Sequence, residues 1–165
     1  MNNFKRKYLE GLIEDLTKQF HLASQSASDS QSEANAHKGA MASRYDTFKE
    51  EAQYLSVAQR LRADSLLRAI NETKELLNGI DKIAKDSVAV GSFVTVVDQN
   101  DVERHYLIIP YGSGDKLQIN DAPVIVIGKD SPIAKALIGC TVGEEAEIVL
   151  PSPSGAQSCA ILAIG

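Results

Sequence analysis

Carboxylates are the side chains here whose spacing could do chemistry. Asp46 and Glu50 stand four residues apart with Glu51 beside them, and Asp29 and Glu33 repeat the interval upstream. On a helix that interval puts both side chains on one face. The same acids read equally as helix-terminal charges. Asp46, Glu50 and Glu51 would fall in the first two turns of a helix, where the macrodipole favours negative charge, with Lys49 among them. His37 follows the second pair as a lone histidine.

The remaining reactive groups point to no chemistry. Cys140 and Cys159 have neither a C-x-x-C spacing nor a metal-ligand pattern, and read as small packing residues. Gly112-Ser113-Gly114 opens no helix and no Lys-Ser/Thr pair follows it, so a phosphate-loop reading fails.

Elements that could position the acids are legible in the apolar period. Leu9, Leu12, Ile13, Leu16, Phe20, Ala23 and Ala27 step by three and four. A second series runs through Tyr45, Phe48, Ala52, Leu55, Ala58, Leu66, Ile70 and Leu77 and ends at Gly79, a natural helix stop. No proline occurs before Pro110. Two amphipathic helices of similar length predict an antiparallel coiled-coil hairpin over residues 1–80. At ~1.5 Å per residue, helices of ~30 residues make a rod of roughly 45–50 Å. The tract Ser24 to Ser32 is helix-weak, because Ser and Asp compete for backbone hydrogen bonds, and fraying is expected through it. The turn is expected near residues 38–43, with Gly39 as breaker and Ser43 as the next N-cap, which sets Asp46 just past the tip.

Beyond a short polar link, Ile80 to Asp86, the period changes to two. Strands are predicted over 88–98 and 102–110 about a Gln99-Asn100-Asp101 turn, then over 123–127, 144–150 and 157–164. Residues 111–121 read as a loop, and Pro151 to Gly155 joins the last two strands. Between them, Ser131 is a helix N-cap candidate with Pro132 at the first helical position. Ile133, Ala136 and Leu137 then share one face, Lys135 points away from it, and Gly139 ends the turn. The expected fold is therefore α+β: a helical hairpin followed by an antiparallel sheet with one short helix.

Composition narrows the partners. With 44% hydrophobic and 24% charged residues in 165, the chain is that of an ordinary folded protein. Its apolar runs are too short to span a bilayer, and its N-terminus lacks an apolar signal segment, so a cytoplasmic location with no membrane partner is expected. Residues 1–80 carry 11 Lys/Arg against 11 Asp/Glu, and residues 81–165 carry 6 against 11. Neither half offers the basic excess that a nucleic-acid backbone demands.

The segment D-S-P-I-A-K-A-L-I-G at 130–139, after an apolar strand and before G-E-E-A-E-I-V-L, resembles the C-terminal domain of the GreA/GreB transcript cleavage factors over about Val88 to Ile164. K-E-E-A-Q-Y-L-S-V-A-Q at 49–59 is similar to the same family's hairpin. Y-D-T with E-A-x-Y-L resembles a divergent Gre-like subgroup. The resemblance implies an FKBP-like domain at 81–165 that binds RNA polymerase at its secondary channel, docking through Ser131, Pro132, Ile133 and Lys135, with Asp130 able to meet a basic residue. It implies that Asp46 and Glu50 help hold a Mg2+ shared with the polymerase, with Asp29 and Glu33 as the runner-up pair. Here the two acids are four apart instead of the family's three, and Glu51 replaces an Asn. Such a protein is an accessory factor, not an enzyme, with no intrinsic cofactor and no small-molecule substrate. Two activities stay open: stimulating cleavage of backtracked RNA, or competing for polymerase without cleavage. The FKBP-like fold also raises prolyl isomerisation, but the chain has no Trp and only Phe93, Tyr106 and Tyr111 as aromatics in its second half.

Overall fold

The computed structural model describes residues 2–36, 45–112, 114–119, 122–149 and 156–165. Two helices, α1 (Asn2–Ala36) and α2 (Tyr45–Gly79), pack as a hairpin, and a single turn of 3-10 helix (Ile80–Lys82) follows. Six strands and one short helix complete the chain: β1 (Phe93–Asp98), β2 (Glu103–Ile109), β3 (Lys116–Ile119), β4 (Ala122–Gly128), α3 (Pro132–Leu137), β5 (Glu145–Val149) and β6 (Ala156–Ile164). They form two compact units, Tyr8–Glu72 and Met1–Lys7 with Thr73–Gly165.

Within the first unit, buried positions on α2 recur at Ser56, Ala63, Leu66 and Ile70, with half-buried Gln59 filling the 3-4 step. This is the spacing of a coiled-coil seam. Leu16, Ala23, Ala63, Leu66, Ala69 and Ile70 make one cluster, with Leu12, Ile13 and Phe20 against it. Contrary to the expected fraying, the serine tract is continuous helix within α1. The reason is packing. Ala27 and Ser30 are buried, and the Ser56 hydroxyl crosses from α2 to donate to the Ala27 carbonyl at 3.2 Å. Small side chains let the helices approach, and this tertiary contact overrides weak propensity. The expected turn, with Gly39 and Ser43, lies outside the described residues, as does His37.

The second unit is built on a six-stranded sheet in the order β3-β4-β2-β1-β6-β5. Four of its pairings are antiparallel, but β2 and β4 run parallel, from His105 opposite Val124 to Ile109 opposite Gly128. The sheet is therefore mixed. The expected loop at 111–121 contains β3, which takes the outer position and leaves a slot that β4 fills beside β2. Gly112 explains how the chain turns there. A Cβ on it would lie 2.2 Å from the Gly128 nitrogen and 2.4 Å from the Ile127 carbonyl carbon, so two backbones meet where only glycine fits. The glycine pair once readable as a phosphate loop thus serves packing, with the Gly114 N–H donating to the Val126 carbonyl at 3.1 Å.

The core gathers Val94, Val96, Tyr106, Ile108, Ile148 and Ile161 from the sheet under Ala134 and Leu137 of α3. Leu137 is fully buried, worth roughly 1.5–3 kcal/mol in removed apolar surface. Residues 88–92 are not strand. Instead Val88 exchanges main-chain bonds with Gly139 and Cys140, each 2.8 Å, tying the chain beyond α3 to the approach of β1. Gly139 adopts φ +94 there, a conformation open to glycine at no steric cost.

Lys5 anchors the first turn of α1 to this unit. Its ammonium donates to the main-chain oxygens of Gly91 and Gly165, each at 2.9 Å, and the residue is buried. Arg6 pairs with Asp81 alongside. Burial, and then the charge of Lys85, lowers the Lys5 pKa from 10.5 to about 8.

Candidate functional site

The α3 segment is a rigid presentation of short side chains. Ser131 takes an extended backbone (φ −66, ψ 149) and its hydroxyl accepts from the Ala134 N–H at 3.2 Å, a helix N-cap. Pro132 stands at the first helical position. The preceding corner is fixed by the Lys129 N–H on the Ile109 carbonyl (2.8 Å) and the Ser131 N–H on the Gly128 carbonyl (3.0 Å). With Ala134 and Leu137 directed into the core, Asp130, Pro132 and Lys135 remain exposed, and Ser131 and Ile133 half-buried. The five residues expected to dock are thus contiguous on one corner.

Beside Ile133 lies a pocket of about 100 Å³ between α3 and the sheet, walled by Val96, Tyr106, Ile148 and Cys159. Asp98 and Arg104 stand at its edge. The Arg104 guanidinium donates to Asp98 Oδ2 at 3.1 and 3.3 Å. The other carboxylate oxygen accepts from the N–H groups of Asn100 (2.9 Å) and Val102 (3.1 Å). Those main-chain donors, reinforced by Arg104, hold the Asp98 carboxyl below its usual range, so it stays ionised. Burial pushes the Tyr106 hydroxyl up, and likewise the thiols of Cys140 and Cys159. Both cysteines therefore remain protonated near neutrality, as packing residues do. Periodicity alone did not single out Arg104 or Tyr106. The only available signal was their two-residue spacing on one face of a predicted strand.

The acids belong to the other unit. Asp46 falls in the first turn of α2, and its side chain lies outside the described part of the structure. Glu50 and Glu51 are exposed one turn on. Asp29 is exposed on α1, and Glu33 lies in the same helix near its end, its side chain again not described. Among the described residues, no group of three or more His, Cys, Asp or Glu side chains is arranged to hold a metal ion. No described helix is long and apolar enough to cross a membrane.

This combination of a helical hairpin and a mixed sheet carrying a Ser-Pro-capped helix defines a class of two-unit α+β proteins. Residues 83–165 match the family described as "Transcription elongation factor, GreA/GreB, C-term", and the chain belongs to the GreA/GreB family. It is similar to transcription elongation factor GreA of Clostridium kluyveri, 31% identical over 110 residues, which are 66% of this chain and 62% of that protein. It is also similar to GreB of Pasteurella multocida, 30% identical over 106 residues, or 62% and 63% of the two chains. The chain thus spans less than two thirds of the length of these relatives. Among solved structures it is similar to GreA factor homolog 1 (Gfh1) of Thermus thermophilus, 17% identical, with 97% and 94% of the chains covered and a TM-score of 0.37. For Gfh1 of Thermus aquaticus the identity is 18%, the coverage 92% of each chain and the TM-score 0.38.

Proposed function

We propose that this protein is a cytoplasmic transcription elongation factor that docks on RNA polymerase through residues 81–165 and directs its hairpin, residues 1–80, into the secondary channel. The observation that carries this reading is the α3 corner, where the family match coincides with a rigidly capped Ser131-Pro132-Ile133 whose proline is exposed and whose flanking residues are half-buried. Asp130 and Lys135 flank it with opposite charges suited to a polar rim. Residues 8–36 of α1 alone, at ~1.5 Å per residue, give a reach of ~45 Å.

At the far end, Asp46 and Glu50, with Glu51 adjacent, would offer carboxylate oxygens of the type Mg2+ prefers. A Mg2+ held jointly with the polymerase would supply Lewis-acid activation of a water toward the RNA phosphodiester. This chain's part is to present the carboxylates; hydrolysis itself belongs to the polymerase, and the protein is an accessory. A second reading, a competitor that binds without cleaving, is favoured by one observation. Asp46 and Glu50 both lie within continuous helix α2, so their four-residue interval sets their directions differently from the family's three.

Backtracked polymerase complexes carrying end-labelled RNA test both. Wild type is expected to accelerate cleavage at least ~100-fold over the polymerase alone, in the range that positioned acid–base and metal-binding groups contribute. Asp46→Asn/Glu50→Gln is expected to lose that acceleration while binding normally. Binding without cleavage by wild type selects the competitor. Equal cleavage by wild type and mutant would remove these acids from the mechanism.

A further inference from the structure

Helix α2 carries two rows with coiled-coil spacing. The row against α1 steps by three and four through Ser56, Gln59, Ala63, Leu66 and Ile70, all buried or half-buried. On the other side of the helix, Glu50, Tyr54, Val57, Leu61, Asp64 and Arg68 step by four and three, and all six are exposed. The first row accounts for the hairpin. A surface helix ordinarily turns a polar face away from its seam, yet the three positions at the centre of this outer row are large and apolar. Charged residues close it at both ends. An apolar stretch at heptad spacing with charged flanks is what a further helix needs in order to pack knobs into holes.

We propose that this outer row binds the same row of a second copy of the chain, antiparallel, about a two-fold axis at the level of Gln59. Glu50 and Arg68 lie nine residues either side of that level, Tyr54 and Asp64 five, Val57 and Leu61 two. In antiparallel pairing each residue faces the one equally far on the other side, and the two-fold makes every contact twice. Val57 then meets Leu61 at the centre, the Tyr54 hydroxyl can donate to the Asp64 carboxylate, and Glu50 meets Arg68 at both ends. The row is therefore complementary to itself in charge as well as in apolar surface. Parallel pairing would set Glu50, Asp64 and Arg68 each against its own like charge, which is costly. From Glu50 to Arg68 the row is ~27 Å long on a helix ~10 Å wide. Such a footprint falls short of a standard stable interface, so dimers form with a Kd of roughly 10–100 µM. The pairing itself is independent of the polymerase reading. One consequence rests on that reading: Glu50 paired with Arg68 of a second copy is withheld as a carboxylate ligand.

The test is analytical ultracentrifugation of the full chain alone, from ~2 to ~500 µM, a range that brackets the expected Kd. Wild type is expected to pass from monomer to dimer across it. Leu61→Asp sets a charge at the centre of the row and is expected to weaken the dimer at least ~10-fold. Should that variant lose helix by far-ultraviolet circular dichroism, Leu61→Ser replaces it with the same direction expected. Glu50→Arg and Arg68→Glu each convert both end pairs to like charges and are expected to weaken association at least ~5-fold. Mixed together, those two variants restore both ion pairs across the two-fold, and the mixture is expected to dimerise within ~2-fold of wild type. Wild type that stays monomeric to the highest concentration overturns the proposal. A dimer undiminished by the Leu61 substitution lies elsewhere on the chain and also overturns it. Single charge reversals without effect, or a mixture that associates no better than either variant, overturn the antiparallel register.

Discussion

Lys5 is a buried lysine, and its titration should be visible in the stability of the whole fold. Its ammonium is satisfied by two main-chain oxygens, at Gly91 and Gly165. Those bonds favour the charged form, while burial and the neighbouring charge of Lys85 oppose it and prevail, leaving a pKa of about 8 against 10.5 for an ordinary lysine. Because the folded value is the lower one, the sign is opposite to that of a salt-bridged lysine. Below pH 8 both folded and unfolded chains hold the proton, and the folded chain bears the full cost of the buried charge. Between 8 and 10.5 the unfolded chain binds more protons, so stability rises with pH. From pH 8 to 9.5 the gain is about 1.5 pH units at ~1.36 kcal/mol each, or ~2 kcal/mol.

Lys5→Met isolates this effect. At pH 7 the substitution removes a buried charge but also leaves the Gly91 oxygen without its donor, two opposed changes of ~1–3 kcal/mol. The slope with pH is therefore more decisive than the value at pH 7. Urea unfolding of both proteins at pH 7 and pH 9.5 should show wild type gaining ~2 kcal/mol on Lys5→Met, every other titration cancelling in the difference. Near-ultraviolet circular dichroism is a suitable probe, since Tyr106 is buried and its hydroxyl keeps its proton at the higher pH. Lys85→Gln should shrink the gain. A difference between the two proteins that stays constant within ~0.5 kcal/mol would show that Lys5 does not carry a buried charge at neutral pH.

Two further substitutions probe the segments that shape the α3 corner. Gly112→Ala places a methyl group against the backbone of Ile127 and Gly128, which cannot yield as a side chain would; a loss of ~2–4 kcal/mol is expected in urea unfolding. Ser131→Ala deletes the acceptor for the Ala134 N–H and should cost ~1 kcal/mol, read as faster hydrogen exchange at that amide while the sheet amides keep their protection.

What could be read from the chain was local. The 3-4 period of Leu9, Leu16, Leu66 and Ile70 predicts the hairpin because the same residues form its seam. Ser131-Pro132 predicts the start of α3 because a cap and a proline act over one turn. Nothing local marks β3. It has four residues, with Lys116 and Gln118 exposed on an outer strand, and its existence depends on β4 lying beside it. The parallel pairing of β2 with β4 is likewise a consequence of which slot the returning chain fills. Lys5 was hidden for a different reason: a charge in the seam register, four residues before Leu9, reads as surface until its two acceptors are known. At the candidate site the α3 residues are local and legible, whereas Arg104 and Tyr106 of β2 and Ile148 of β5 come together only through the sheet register.

The hairpin seam changes character along its length, and this bears on what the hairpin can do. Leu9, Leu16, Leu66 and Ile70 give way to Ala23, Ala27 and Ala63, then to Ser30 and Ser56. Each step buries less apolar surface, so the stabilisation from burial falls along the seam. The interhelical bond from Ser56 to Ala27 partly offsets that loss, with ~0.5–1.5 kcal/mol from a net hydrogen bond. Larger apolar residues are available on the same stretch of α2, but Tyr54, Val57 and Leu61 are 77%, 54% and 63% exposed. Moving them into the seam would add burial but force the helices apart. Small seam residues instead keep the two helices close, which makes a narrow rod. The alanine and serine content of this stretch is therefore better understood as a limit on girth than as a weak helix.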